Sequence, residues 1–368
     1  MNPPASTAAA GDAAVLPFIR NLPLQPAWLA MWHEEALEPE LAIIDPHHHF
    51  WDHEGGYLLD DLLADILADQ EAHPTPAKSS GHKVLATVFL QCGYAYRPDG
   101  PVALRPVGET ERVAAIAREA ARRGLKTKIA AGIVGQANLE LGDAVDAVLQ
   151  AHIDAGDGRF RGVRHITTWH ADFNASMLGR PPVDLMQRAS FRRGLARLAH
   201  FGLTFDAWLY HTQIGQLADL ARAVPETPMV LNHVGAPLGV GPYVGRRDAV
   251  FAEWRAAMKD LASCPNVHIK LGGLAMAIMG FEFHKAARPP SSEQLAVAWA
   301  PYFHACIELF GVQRCMYESN FPVDKGMCSY GVLWNTFKRI SAGASPEEKA
   351  WLFRDSARTF YRLEVGAE

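Results

Sequence analysis

Eight times along the chain a short apolar run gives way to a stretch whose apolar residues fall at helical spacing. The apolar runs cover 41–44, 84–90, 128–134, 162–166, 203–209, 229–232, 267–271 and 314–318. Helical periodicity follows over 58–70, 109–123, 139–155, 184–200, 212–224, 248–263 and 292–310, and after the last run over 331–341 and 345–362. Strands joined by helical crossovers specify a parallel sheet. Eight such units in one chain point to a closed (β/α)8 TIM barrel of the α/β class. An open dinucleotide-binding sheet is the competing arrangement, and no Gly-x-Gly-x-x-Gly follows an early strand to support it. Gly124 sits where the second helix should stop, as a C-cap.

The chain has 368 residues, 49% hydrophobic and 20% charged, which is enough apolar material for one large core. Its expected organisation is an N-terminal extension over 1–40, a barrel over 41–362 and a short tail over 363–368. The first part of the extension, 1–15, reads as a disordered tail, whereas Trp28 and Trp32 should pack on the barrel. A formal net charge of −5 offers no basic surface for nucleic acid. The longest apolar stretch, 271–281, is too short to span a bilayer and is broken by glycines. Cys92, Cys264, Cys306, Cys315 and Cys328 show no Cys-x-x-Cys spacing and read as reduced thiols. Without a targeting pattern in 1–13, a cytoplasmic protein is expected.

In a barrel of this kind chemistry belongs at the C-terminal ends of the strands. The first strand runs into Ile44-Asp45-Pro46-His47-His48-His49-Phe50-Trp51-Asp52. Side chains of an extended segment alternate, so His47 and His49 share a face and His48 takes the other. Two imidazoles side by side on the inner face make half of a metal site. Later strand ends contribute Arg164 and His165, His211, His233, Lys270, and then Glu318, Asn320 and Asp324. Core packing explains such a concentration poorly; a bound divalent cation explains it well. His48, His53, His73 and His82 read as solvent or loop residues. Asp52 either fixes the tautomer of a ligand histidine or caps the next turn. Phe50, Trp51, Tyr94, Tyr96 and Trp169 read first as core aromatics, and alternatively as walls for a ring-containing substrate.

Three stretches carry a resemblance to a known family. Asp-Pro-His-His-His-Phe-Trp-Asp from Asp45, Leu-Asn-His-Val-Gly from Leu231 and Glu-Ser-Asn-Phe-Pro-Val-Asp from Glu318 resemble the amidohydrolase superfamily. The likeness is narrower still to its branch of metal-dependent TIM-barrel hydrolases, which includes sugar and aromatic-acid lactonases, and it covers 41–362. It implies that His47, His49, His211 and His233 are metal ligands, with the last two alternatively stabilising an oxyanion. The superfamily's general-base aspartate falls at Asn320, an amide that cannot accept a proton. The resemblance therefore passes catalysis to Glu318 or Asp324, together with His233. Arg164, Lys270 and Asn320 are left to bind an anionic or ring-containing small molecule, with arginine offering a bidentate fork. No lysine of the kind that bridges two metals is found at the fourth strand, which favours a single ion. Zinc is the expected metal, with iron and manganese as alternatives.

The implied reaction is attack by water whose pKa a divalent ion lowers from ~16 to ~7. A carboxylate takes the proton and returns it to the leaving group. The expected activity is opening of a lactone or related cyclic ester, with an amide as the next substrate class. An iron-dependent oxygenase or decarboxylase on the same barrel, and a non-catalytic partner subunit, are the alternatives. Neither nucleic acid nor membrane is an expected partner, and a homo- or hetero-oligomer is left open.

Overall fold

The computed structural model describes residues 19–53, 55–71, 81–174 and 179–366. Its eight strands are β1 (Ala42–His48), β2 (Lys83–Leu90), β3 (Lys128–Gly135), β4 (Phe160–Arg164), β5 (Thr204–Ala207), β6 (Met229–Leu231), β7 (Val267–Leu271) and β8 (Cys315–Tyr317). They lie in sequence order, each parallel to the next. The ring closes at the C-terminal rim, where His48 bridges Phe321 in parallel. There His47 O accepts from Asn320 N at 2.8 Å, and His49 N donates to Phe321 O at 2.8 Å. Asp45 ties the same seam, accepting from Ser319 N at 3.0 Å and from the Tyr330 hydroxyl at 3.1 Å. Two of the three motif stretches thus close the (β/α)8 barrel.

Helices α1 (Pro26–Leu29), α2 (Leu59–Glu71), α3 (Val107–Arg122), α4 (Asp146–Ala155), α5 (Ala189–His200), α6 (Ile214–Ala223), α7 (Arg247–Ala262), α8 (Ser292–Phe310) and α9 (Tyr330–Ile340) follow in order. In α3, Val113, Ile116, Ala117 and Ala120 recur at helical spacing and are buried, while Glu111, Arg112 and Arg118 face water. Each buried valine or isoleucine contributes roughly 1.5–3 kcal/mol. One expected helix is interrupted and another contains a π-turn. Over 139–155 a 3-10 turn (Leu139–Val145) precedes α4, because Gly142 adopts a left-handed φ of 57°. Over 345–362, α10 (Pro346–Ala350) and α11 (Ser356–Phe360) flank a π-turn (Trp351–Asp355) that buries Leu352 and Phe353.

The described part of the extension packs on the barrel through its tryptophans. Trp28 Nε1 donates to Ala286 O at 3.0 Å. Trp32 Nε1 donates at 3.0 Å to Glu34 Oε1, which also accepts from Ser292 N at 2.7 Å at the start of α8. Further upstream, Ile19 N donates to Asn174 O at 2.8 Å. The tail expected over 1–15, and His73, lie outside the described residues. All five cysteines are free thiols. No helix among the described residues is long and apolar enough to cross a membrane.

His53 is exposed, as expected, but His48 and His82 are buried. The outer face of a barrel strand is covered by helices, so the side opposite His47 is core and not solvent. His48 sits edge-on to Phe50, its Nε2 2.9 Å from Thr87 Oγ1, and burial pushes its pKa down to about 3. His82 pairs with Gly331 O at 3.1 Å and receives Lys338 Nζ at 2.9 Å.

Candidate active site

Four groups meet at the rim: His47 and His49 from the end of β1, His233 after β6 and Glu318 after β8. None is more than 3% exposed. Glu318 Oε1 lies 2.6 Å from His233 Nδ1 and accepts from His233 N at 3.0 Å. Its Oε2 lies 2.6 Å from His47 Nδ1, although that contact is not directed as a hydrogen bond. The His47 ring centroid is 4.9 Å from that of His49 and 4.6 Å from that of His233. His47 Nε2 faces His49 Nε2 at 3.2 Å.

The partners assign the ring protons. His49 Nδ1 is 2.8 Å from Leu90 O, an acceptor only, so the proton is on Nδ1 and the lone pair on Nε2. Glu318 imposes the same tautomer on His233. Around His47, Arg164 Nη1 stands 3.3 Å from Nε2 and Lys270 Nζ stands 3.4 Å from Nδ1. Both are donors, and a neutral imidazole has one lone pair. With the proton on Nδ1, toward the Glu318 oxygen at 2.6 Å, the lone pair is on Nε2. In that tautomer His47 and His49 point two lone pairs at each other across 3.2 Å. A cation between them relieves that repulsion, and nitrogens sharing a tetrahedral zinc at ~2.1 Å stand ~3.4 Å apart. Burial, with Lys270 and His233 nearby, holds His47 well below the ordinary histidine pKa; burial and Arg164 do the same for His49. Both rings are neutral, as metal ligands must be. One ligand atom from each of His47, His233 and Glu318 also lies within 4.8 Å of the other two. The donor set fits a divalent ion.

Local backbone makes the fit. His233 and Val234 adopt left-handed φ values of 55° and 46°, which turn the His233 ring back over the rim. Gly273, itself at φ 70°, must lack a side chain because a Cβ there would lie 2.5 Å from Cγ of His233. A Cβ on Gly272 would run into Glu318 Cγ. The glycine pair after β7 thus clears the space in which Glu318 and His233 meet.

The residues expected to bind substrate are turned inward. Arg164 is 4% exposed; its Nε donates to Gln91 Oε1 at 3.2 Å and its Nη2 to Gln91 O. Lys270 is fully buried and donates to Asp206 Oδ1 at 2.7 Å. Asp206 also accepts from Asn232 Nδ2 at 3.0 Å and from the Tyr361 hydroxyl at 2.9 Å. Asn320 Nδ2 donates to Asp324 Oδ1 at 2.7 Å. Burial raises the Asp324 carboxyl well above its ordinary range, and the Asn320 amide holds its Oδ1.

Among the described residues, the ligand group of His47, His233 and Glu318 leaves out His49 and also His211. Its Nδ1 accepts from Leu238 N at 3.3 Å, which puts the ring proton on Nε2, a buried atom with no acceptor. The ring lies against Tyr243, and burial lowers its pKa to about 4. It presents a donor where a ligand needs a lone pair; the loop after β6 has claimed the other nitrogen. His165 accepts from Leu139 N at 3.4 Å and packs on Phe191. Asp52 is exposed, and Leu90 O does the tautomer-fixing considered for it. Phe50 and Tyr94 are core residues, whereas Trp51 stacks on His49. Sequence reasoning missed Asp206, Gln91 and Tyr361. An acid inside the apolar strand Thr204-Phe205-Asp206-Ala207 was a legible signal; the other two gave none.

A sealed cluster of imidazoles and carboxylate at the C-terminal rim of a (β/α)8 barrel is the arrangement of an enzyme. The family model described as amidohydrolase matches residues 44–363. Protein y4mH of Sinorhizobium fredii is 34% identical over 334 residues, covering 88% of this chain and 99% of its own. The L-fucono-1,5-lactonase of Burkholderia ambifaria is 28% identical over 333 residues, covering 87% and 96%. A crystal structure of a Burkholderia multivorans amidohydrolase with bound zinc superposes with a TM-score of 0.65 at 23% identity, over 88% of this chain and 99% of that one. The chain belongs to the amidohydrolase family, and it is an enzyme of the amidohydrolase superfamily with lactonases among its relatives.

Proposed function

We propose that the protein is a metal-dependent hydrolase that opens a lactone or related cyclic ester. The observation that carries this reading is the pair of ring nitrogens, Nε2 of His47 and Nε2 of His49, facing across 3.2 Å beside the His233–Glu318 couple. His47 and His49 would hold the ion, zinc first among the candidates. Such an ion polarises the ester carbonyl and lowers the pKa of water to ~7. Glu318 keeps the proton of His233 on Nδ1, so His233 Nε2 is free to take a proton from the attacking water. The carboxylate then stabilises the imidazolium, which gives its proton to the leaving ring oxygen. His211 Nε2–H, a buried donor without an acceptor, suits the carbonyl oxygen as charge builds on it. Asp324 is reassigned from base to anchor for Asn320. A lactone substrate is supported by the full-length likeness to an L-fucono-1,5-lactonase. The five free thiols agree with a cytoplasmic enzyme.

The test is a set of sugar-acid 1,5- and 1,4-lactones offered to the zinc-loaded protein, with ring opening followed by acid release. Turnover of at least one lactone, with oxygen from labelled water in the acid product, is expected. Decarboxylation or oxygen consumption in place of ring opening would overturn the reading.

A further inference from the structure

We propose that Arg164 is a resident cation that shares His47 Nε2 with the divalent ion and thereby limits how tightly the ion is held. This rests on the metal reading above. The guanidinium is not a free arm. Two of its nitrogens are fixed by the side chain and backbone of Gln91, and the third stands 3.3 Å from His47 Nε2. Arginine has donors and no acceptor, so it occupies the same lone pair that a metal uses. On the other side of the ring Lys270 Nζ is 3.4 Å from His47 Nδ1, fixed by Asp206 at 2.7 Å.

Charge balance points the same way. The cations facing His47 are Arg164 and Lys270, and the anions beside them are Glu318 and Asp206, so the cluster is neutral before any ion arrives. Burial raises the carboxyls of Asp324 and Glu109, Glu109 to about 7, and Glu109 faces the backbone N–H groups of Cys92, Gly93 and Tyr94 and not the His47 ring. A divalent ion therefore adds positive charge to a sealed, low-dielectric volume that already holds two fixed cations. Arg164 is a positioning residue in this scheme: it acts on the ion through His47 and not on the substrate.

The experiment measures zinc affinity by competition with a chromophoric chelator for the wild-type protein, R164Q, R164K and Q91E. Glutamate at 91 is nearly isosteric with the glutamine, and its carboxylate draws the guanidinium away from His47 without removing it. R164Q and Q91E should bind zinc about tenfold more tightly than wild type, and R164K about as tightly as wild type. A merely structural arginine would give the opposite sign, since its loss would loosen the site. Q91E keeps the test open if R164Q fails to fold. Unchanged or weaker affinity in both variants overturns the inference and leaves the hydrolase reading standing. Absence of zinc binding in every chain, wild type included, overturns both.

Discussion

Glu318 Oε1 lies 2.6 Å from Nδ1 of His233, while the other oxygen of the same carboxylate lies 2.6 Å from Nδ1 of His47. One side chain therefore supports both the ring assigned to proton transfer and a ring assigned to the ion. E318Q should lower kcat/KM by about 10²–10⁴, the range for losing general-base support. It should also weaken zinc by about 10–100-fold, as loss of a group orienting a ligand does. Steady-state kinetics and chelator competition measure the two effects, and a variant with wild-type values of both would refute the assignment.

His49 and His233 are predicted to fail differently. H49N should lose zinc and activity together, because it removes one of the two facing ring nitrogens. H233N should retain zinc while kcat falls by about 10²–10⁴. Metal content by elemental analysis separates them; zinc lost equally from both would make His233 a ligand.

Gly273 is held at a φ of 70° with the His233 ring against its Cα. G273A should destabilise the fold by about 1–3 kcal/mol through backbone strain and displace the ring, cutting activity further than stability alone explains. Denaturant unfolding and kinetics on the same preparation check this. Wild-type activity in G273A would show that the ring need not sit where it does.

Stability should fall with rising pH because of Glu109. Its Oε1 accepts from Cys92, Gly93 and Tyr94 N–H, yet burial pushes its pKa up to about 7 from 4.5. The folded state holds this proton more tightly than the unfolded chain. The contribution is thus complete below pH 4.5 and is lost as pH rises through about 7. The full effect is about 3 kcal/mol. E109Q retains an oxygen for the N–H groups and has no proton to lose. Urea unfolding at pH 5 and pH 8 should show the wild type losing stability relative to E109Q; a relative gain would contradict the assignment.

Much of the architecture was legible because βα alternation is a local property. Val267–Leu271 and Ser292–Phe310 have the same bounds in sequence and structure. The helix expected over 345–362 is present over 346–360, and only its π-turn was illegible, because one wider turn leaves the apolar spacing almost unchanged. That His47, His49, His233 and Glu318 come together at the rim was readable from strand ends and motifs. The roles of Arg164 and Lys270 were not, since a charge at a strand end looks alike whether it faces the rim or the interior. Only the positions of Gln91 and Asp206, far away in sequence, decide that they turn inward. The tautomer of His211 was illegible for a related reason: Leu238 N, on another loop, sets it.

The most direct test of ion-dependent ring opening at the His47–His49 pair is lactone hydrolysis by the chelator-stripped protein, before and after stoichiometric zinc is returned. The stripped protein should show background hydrolysis and recover fully with zinc, and H49N should not recover. Undiminished hydrolysis by metal-free wild-type protein would contradict ion-dependent ring opening.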